Sequence, residues 1–211
     1  MRKKVLLLAV SCKTGGLCPG GLDLDDPTKW IRIVKDDGHA GAVQGHEIDF
    51  ANPLDIIEFD GRPMPQGKQQ ENWVIDNNSC RKTGSRTEEV LDWAYEQYAY
   101  KGFWRNYKAF LNEREFAAVN APSESIMKVT DVRIYRNERG SAKIDFNWDG
   151  AQYPIKGVSM TDIDFYDRIQ EGDVTFENAY IITSIPKECD WTLPQTGEKR
   201  AYKFVSKIFE L

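Results

Sequence analysis

The sequence predicts a β-rich α+β protein built from two small antiparallel barrels around a central helical segment. Three observations carry that expectation. Short apolar or alternating runs crowd both ends of the 211-residue chain, a helix-like stretch with a capping signal lies between them, and turn residues divide the runs at short intervals. Barrels suit many short strands because closure hides their edges. A single mixed α+β sheet is the competing architecture.

Taken in order, Arg2-Lys3-Lys4 leads into the apolar run Val5 to Val10, which reads as a central strand. The Gly-rich stretch from Thr14 to Gly21 reads as a turn region. Lys29 to Lys35 alternates with period two, placing Trp30 and Arg32 on one face and Ile31 and Ile33 on the other. The acidic segment from Asp36 to Asp49 holds both histidines and reads as an exposed loop. Leu54 to Phe59 is the next strand, closed by a turn at Asp60-Gly61-Arg62-Pro63, and polar residues dominate from Pro65 to Arg86.

Ser85 and Glu88 have capping-box spacing, and Val90, Leu91, Ala94, Tyr95 and Tyr98 share one helical face, which predicts a helix from Thr87 to Tyr98. Tyr107, Phe110 and Leu111 extend the helical spacing into a second piece from Phe103 towards Val119, ended by Pro122. Strands follow at Met127 to Tyr135, Ala142 to Trp148, Gln152 to Val158, Val174 to Thr183 and Tyr202 to Phe209. Asp149-Gly150 suits a type I′ hairpin turn between two of them. The chain thus divides into an N-terminal β unit (1–84), a helical, aromatic-rich connection (85–122) and a C-terminal β unit (123–211).

Composition narrows the function. Against 28 Lys and Arg stand 33 Asp and Glu, a net charge of -5 that argues against coating nucleic acid by bulk attraction. Residues 80 to 110 reverse that balance locally, with six basic against four acidic side chains. The longest apolar run is too short to cross a bilayer and lacks a signal-peptide cleavage pattern, so no membrane partner and a cytoplasmic location are expected. Cys12, Cys18, Cys80 and Cys189 are too scattered for a disulfide framework. Cys12 and Cys18 with His39 or His46 lack the spacing of a zinc site, so reduced, buried thiols and no metal or cofactor are expected.

Ser11-Cys12-Lys13, Gly16, Cys18 and Gly20, then Trp30-Ile31-Arg32-Ile33-Val34, Gln69-Gln70-Glu71-Asn72-Trp73, Tyr153 to Asp162 and Tyr202-Lys203-Phe204-Val205 form an ordered series across both halves. This series resembles the bacterial dual OB-fold-containing domain family. Ile33 and Gln70 stand where that family has proline. The resemblance implies two small OB-like antiparallel barrels and a non-catalytic role in recognising single-stranded nucleic acid or a nucleotide, as an accessory of bacterial genome-defence or DNA-modification systems.

Three constellations are candidates for that role. Ser11, Lys13, Trp30, Arg32, Glu71, Asn72 and Trp73 combine rings for base stacking with cations for phosphate; alternatively the tryptophans are core and Arg32 pairs with Glu71 or Asp76. Lys101, Trp104, Arg105 and Lys108 interleave cations and rings within a segment (93–110) that would equally dock a protein partner. Arg81 and Lys82 precede the capped helix, where free amides suit an anion. The rival function is a scaffold subunit docking a larger effector through that aromatic segment. A third is a metal-dependent hydrolase using Asp162, Asp164 and Asp167, or a thiol and imidazole pair formed by Cys12 with His39 or His46, though neither has a catalytic spacing.

Overall fold

A computed structural model describes residues 1–13, 16–36, 41–48 and 50–211, with the backbone alone at Cys12, Lys13, Gly45 and His46. The Lys13 side chain, Cys12 and both histidine side chains, with the zinc and thiol-imidazole readings built on them, lie outside the described residues. The chain forms two compact units, Met1–Ala99 and Tyr100–Leu211. The expected 85–122 connection is therefore divided, its first part belonging to one unit and its second part to the other.

The first unit contains β1 (Arg2–Lys13), β2 (Gly16–Asp23), β3 (Trp30–Val34), β4 (Asp55–Pro63), β5 (Asn72–Ile75) and β6 (Arg81–Ser85), with α1 (Gly45–Ile48) and α2 (Val90–Gln97). Its sheet runs β1-β2-β3-β5-β4, and a β4 to β1 pairing closes the ring, with β6 added on β4. The β3 to β5 pairing is parallel. Val5, Leu7, Ile31, Ile33, Ile57 and Phe59 fill the barrel, as the period-two reading of β3 expects, but β3 is buried on both faces and not half-buried as that reading implied.

The second unit holds β7 (Phe110–Asn112), α3 (Glu113–Ala117), β8 (Glu124–Arg136), β9 (Ala142–Asn147), β10 (Ile155–Met160), β11 (Val174–Ser184), β12 (Trp191–Thr192), β13 (Lys199–Tyr202) and β14 (Phe204–Glu210). Strands β10-β14-β11-β8-β9 make a closed barrel, again with a parallel pair, β10 with β14. Numbering each barrel's strands from one, both rings read 1-2-3-5-4 and back to 1, the five-stranded Greek-key arrangement of the OB fold. Strands β12, β13 and β7 form a separate three-stranded sheet.

Several local expectations are corrected. From Gly16 onward the Gly-rich stretch is strand β2, and its glycines serve close approach. A Cβ on Gly21 would lie 1.9 Å from the Leu6 carbonyl oxygen, and one on Gly20 would lie 2.6 Å from Trp30 Nε1. Asp60 to Pro63 continues β4 instead of turning. Ser85 does not cap a helix: its hydroxyl donates to Asp55 Oδ1 at 2.9 Å from within β6, and α2 starts five residues later with no side-chain cap. The capping box is at Asn112 and Glu115, opening α3.

Helix 103–119 is replaced by a turn, β7 and the short α3. Trp104 and Arg105 have φ of 35° and 42°, left-handed values that break a helix. Asp149-Gly150 does turn the chain, Ala151 N donating to Trp148 O at 2.8 Å, but neither residue has positive φ, so the turn is not type I′. No described helix is long and apolar enough to cross a membrane.

Candidate functional site

Ligands of OB barrels meet the outer face of strands two and three and the loops beside it. In the first barrel that face is β2 and β3. Register places Ile56, Leu6, Leu22 and Trp30 in one row across β4, β1, β2 and β3, pointing away from the barrel interior, and all four are buried. Tyr98, which follows α2, packs on Trp30 with ring centroids 5.6 Å apart, and Ala99 N donates to Thr28 O. A ring so covered cannot take a stacked base.

Of the first constellation the structure brings Arg32, Glu71 and Asn72 together, whereas Trp73 packs against the barrel interior. Arg32 pairs with Asn72 across the parallel strands, and its guanidinium lies 3.9 Å from Glu71 Oε1 and 3.9 Å from Cys18 Sγ. The internal ion pair named as the alternative role of Arg32 is therefore present. Ser11, Arg32 and Asn72 are buried, while Trp73 is half-buried with Lys3 Nζ 5.0 Å from its ring centroid. Trp30 Nε1 and both amide atoms of Asn72 are buried without a hydrogen-bond partner among the described residues. Each such group costs about 1–3 kcal/mol, so this cluster is buried at the expense of stability.

The other two constellations are dispersed. Arg81 and Lys82 are exposed on β6, where Arg81 meets Glu58 at 2.5 Å and Lys82 meets Asp55 at 2.7 Å, instead of lining a helix N-terminus. Trp104 is buried, donating from Nε1 to Pro122 O at 2.8 Å, and is thereby a packing residue. Arg105 is exposed and donates from Nε to Ala118 O at 2.8 Å; Lys108 is exposed and Lys101 half-buried.

What fixes this segment is Lys203, which the sequence showed only as part of the closing Tyr202-Lys203-Phe204-Val205 element. Lys203 is fully buried, and its Nζ donates to the carbonyl oxygens of Phe103 (2.8 Å), Trp104 (3.1 Å) and Asn106 (2.6 Å) and contacts Asn106 Oδ1 at 3.1 Å. It also lies 4.0 Å from the Phe103 ring centroid. Burial pulls its ammonium down to about 7, with Glu115 opposing. This clamp holds two consecutive left-handed residues whose strain is about 1–3 kcal/mol each.

The aspartates of the hydrolase reading do not form a metal centre. Asp162 is buried against Lys207 at 3.3 Å and accepts from the Ile208 and Asp164 amides, and Lys207 also pairs with Asp164. Burial raises the Asp162 carboxyl despite Lys207. No group of three or more His, Cys, Asp or Glu converges among the described residues.

The second barrel leaves its strand two and three face open. Ala142, Ile144 and Phe146 of β9 point inward, so Lys143, Asp145 and Asn147 point outward, beside Ser159 of β10 and Arg133 and Tyr135 of β8. Lys143 Nζ donates to Ser159 Oγ at 2.9 Å, Tyr135 OH to Asp145 Oδ1 at 3.2 Å, and Gly157 N to the same oxygen at 2.7 Å. Arg133 lies 4.9 Å from the Tyr135 ring centroid and pairs with Asp173 at 2.7 Å. Partial burial lowers the Lys143 ammonium and, with Asp145, raises the Tyr135 phenol.

Arg133 and Lys156 are exposed and Tyr135 and Lys143 half-exposed, so cations and a ring are accessible on one hydrogen-bonded platform. These residues escaped the sequence reading although the alternation of Arg133 and Tyr135 with buried Val132 and Ile134 would have marked them.

Comparison with known proteins agrees with the topology. The family of the dual OB-containing domain matches residues 3–208, and the chain belongs to it. No curated protein matches the chain. Among solved structures, the crystal structure of the tetrameric p202 HIN2 is 12% identical, with 97% of this chain and 91% of that chain covered, at a TM-score of 0.32. That likeness is too low to bear on fold or function.

Proposed function

We propose that this member of the dual OB-containing domain family recognises single-stranded nucleic acid or a nucleotide through the open face of its second barrel. The observation that carries the reading is the accessible set Arg133, Tyr135, Lys143 and Lys156 on the face where OB barrels take their ligands. A base would stack on Tyr135 and backbone phosphates would meet Arg133, Lys143 and Lys156, the ring-and-cation combination of sequence-tolerant strand binding. Of the residues singled out by sequence, Trp30, Arg32, Asn72 and Trp104 would serve packing. An accessory place in genome defence or DNA modification belongs to the same proposal.

The test is fluorescence anisotropy with labelled single-stranded DNA, single-stranded RNA and duplex DNA over a salt series. Micromolar single-strand binding that weakens with salt and with a Tyr135→Ala, Arg133→Ala double substitution is expected. No binding to any of the three at low salt sinks the reading and turns attention to a protein partner.

A further inference from the structure

A shallow, open cavity of about 260 Å³ lies at the surface of the second unit, lined by Tyr100, Trp104 and residues 118–121 and rimmed by Arg105. It is smaller than the ~300–1,000 Å³ of drug-sized sites, a scale that suits one flat ring system. The Tyr100 and Trp104 rings are 5.8 Å apart and tilted by 41°, and Tyr100 OH accepts from Trp104 N at 3.1 Å, which fixes the phenol in the wall. Arg105 is the lone charged residue of the lining and no carboxylate accompanies it, so the cavity favours a ligand with a single anionic group.

The wall is also preformed. Trp104 and Arg105 both hold left-handed φ, which L residues adopt at a cost. Their segment is pinned by Lys203 Nζ on the Phe103, Trp104 and Asn106 carbonyls, while Arg105 reaches across to the Ala118 carbonyl. Strain held in place by a buried cation, on the rim of a cavity, is what a preorganised ligand site requires.

We infer that this cavity binds a nucleoside 5′-monophosphate unit, its base against Tyr100 and its phosphate on Arg105. The unit is supplied either as a free mononucleotide or as the 5′-phosphorylated end of a strand. The site is separate from the open β8-β9-β10 face and stands or falls independently of it.

Titration calorimetry with the full chain tests it, using AMP and UMP, the corresponding nucleosides, inorganic phosphate, and trinucleotides with and without a 5′-phosphate. Mononucleotide binding in the micromolar to millimolar range is expected, at least tenfold tighter than nucleoside or phosphate alone. Arg105→Gln should weaken it at least tenfold, and Ala118→Met, which fills the cavity from an exposed position and retains Arg105, should abolish it.

Tighter binding of the 5′-phosphorylated trinucleotide than of AMP or UMP identifies a strand end as the source; the reverse order identifies the free nucleotide. Phosphate binding as tight as mononucleotide, an unchanged affinity in folded Ala118→Met, or no mononucleotide binding at millimolar concentration overturns the inference. Oligonucleotide binding lost through Tyr135→Ala but retained in Ala118→Met would still support the open face, so the two failures are distinguishable.

Discussion

The two barrels share a strand order and a parallel pair, yet the outer face of their second and third strands is treated in opposite ways. In the first, Leu22 and Trp30 continue an apolar row and Tyr98 packs on it. In the second, the equivalent strands present Lys143, Asp145, Asn147 and Ser159. One copy of the fold has turned its ligand face into core, and the other has kept it solvated. A shared topology therefore says little about which copy binds, and the chemistry of the outward residues decides.

The largest effect should come from reopening the buried face. Trp30→Ala removes a large buried ring, and a loss of about 3–5 kcal/mol is expected in urea unfolding followed through the first unit. Gly21→Ala should be comparably damaging because its Cβ would meet the Leu6 carbonyl at 1.9 Å. If Trp30→Ala keeps full stability and gains single-strand binding, the contrast between the barrels is wrong.

Next is the clamp of the second unit. Lys203→Met leaves the Phe103, Trp104 and Asn106 carbonyls without their donor, at about 1–3 kcal/mol for each group that stays buried. The substitution should also change the pH dependence. The folded ammonium titrates at about 7 against an ordinary 10.5, so between those values the unfolded chain holds a proton that the folded chain has released. Stability of the wild type thus gains from this group as pH rises from 7 towards 10.5, and the gain is lost as pH falls back through 7. Urea midpoints at pH 7 and 9.5 should diverge between wild type and variant; parallel behaviour would remove Lys203 as the titrating group.

On the open face, Tyr135→Ala should change stability by less than about 1 kcal/mol, as a half-exposed residue, yet weaken strand binding by about 1–3 kcal/mol per stacked base. Arg133→Ala should lower the salt slope of binding by about one, read from anisotropy at four salt concentrations. Affinity should be least touched by Gly140→Ala, in the loop joining β8 and β9, where φ is +74° but a Cβ meets nothing within 4 Å. A loss near 1 kcal/mol with unchanged affinity is expected.

How legible all this was in the sequence differs by element. Strand β3 could be read because Ile31 and Ile33 alternate with Trp30 and Arg32, and burial of one face follows from that period. Strand β2 could not, since its glycines answer to Leu6 and Trp30, which no local pattern reveals. The aromatic spacing from Phe103 to Leu111 imitates a helix, but Phe103, Trp104 and Leu111 pack in the second unit's core while Tyr107 stays exposed, through a turn held by a lysine about a hundred positions away.

The candidate site was only partly visible. Trp30 and Arg32 have the composition of a strand-binding face, and nothing local says that Tyr98 covers the indole. Arg133, Tyr135 and Lys143 sat inside strands whose boundaries were read nearly correctly, but they carry no motif; their role emerges only once β8, β9 and β10 are side by side.

The clamp at Lys203 also bears on how this architecture can be disturbed. Three main-chain carbonyls and a side-chain amide oxygen around a small cation are the surroundings that a protein ordinarily offers to a dissolved metal ion. Here the cation is encoded in the chain. Chelators cannot strip it, and what governs its charge is the proton, through a titration that burial has pulled down to about 7.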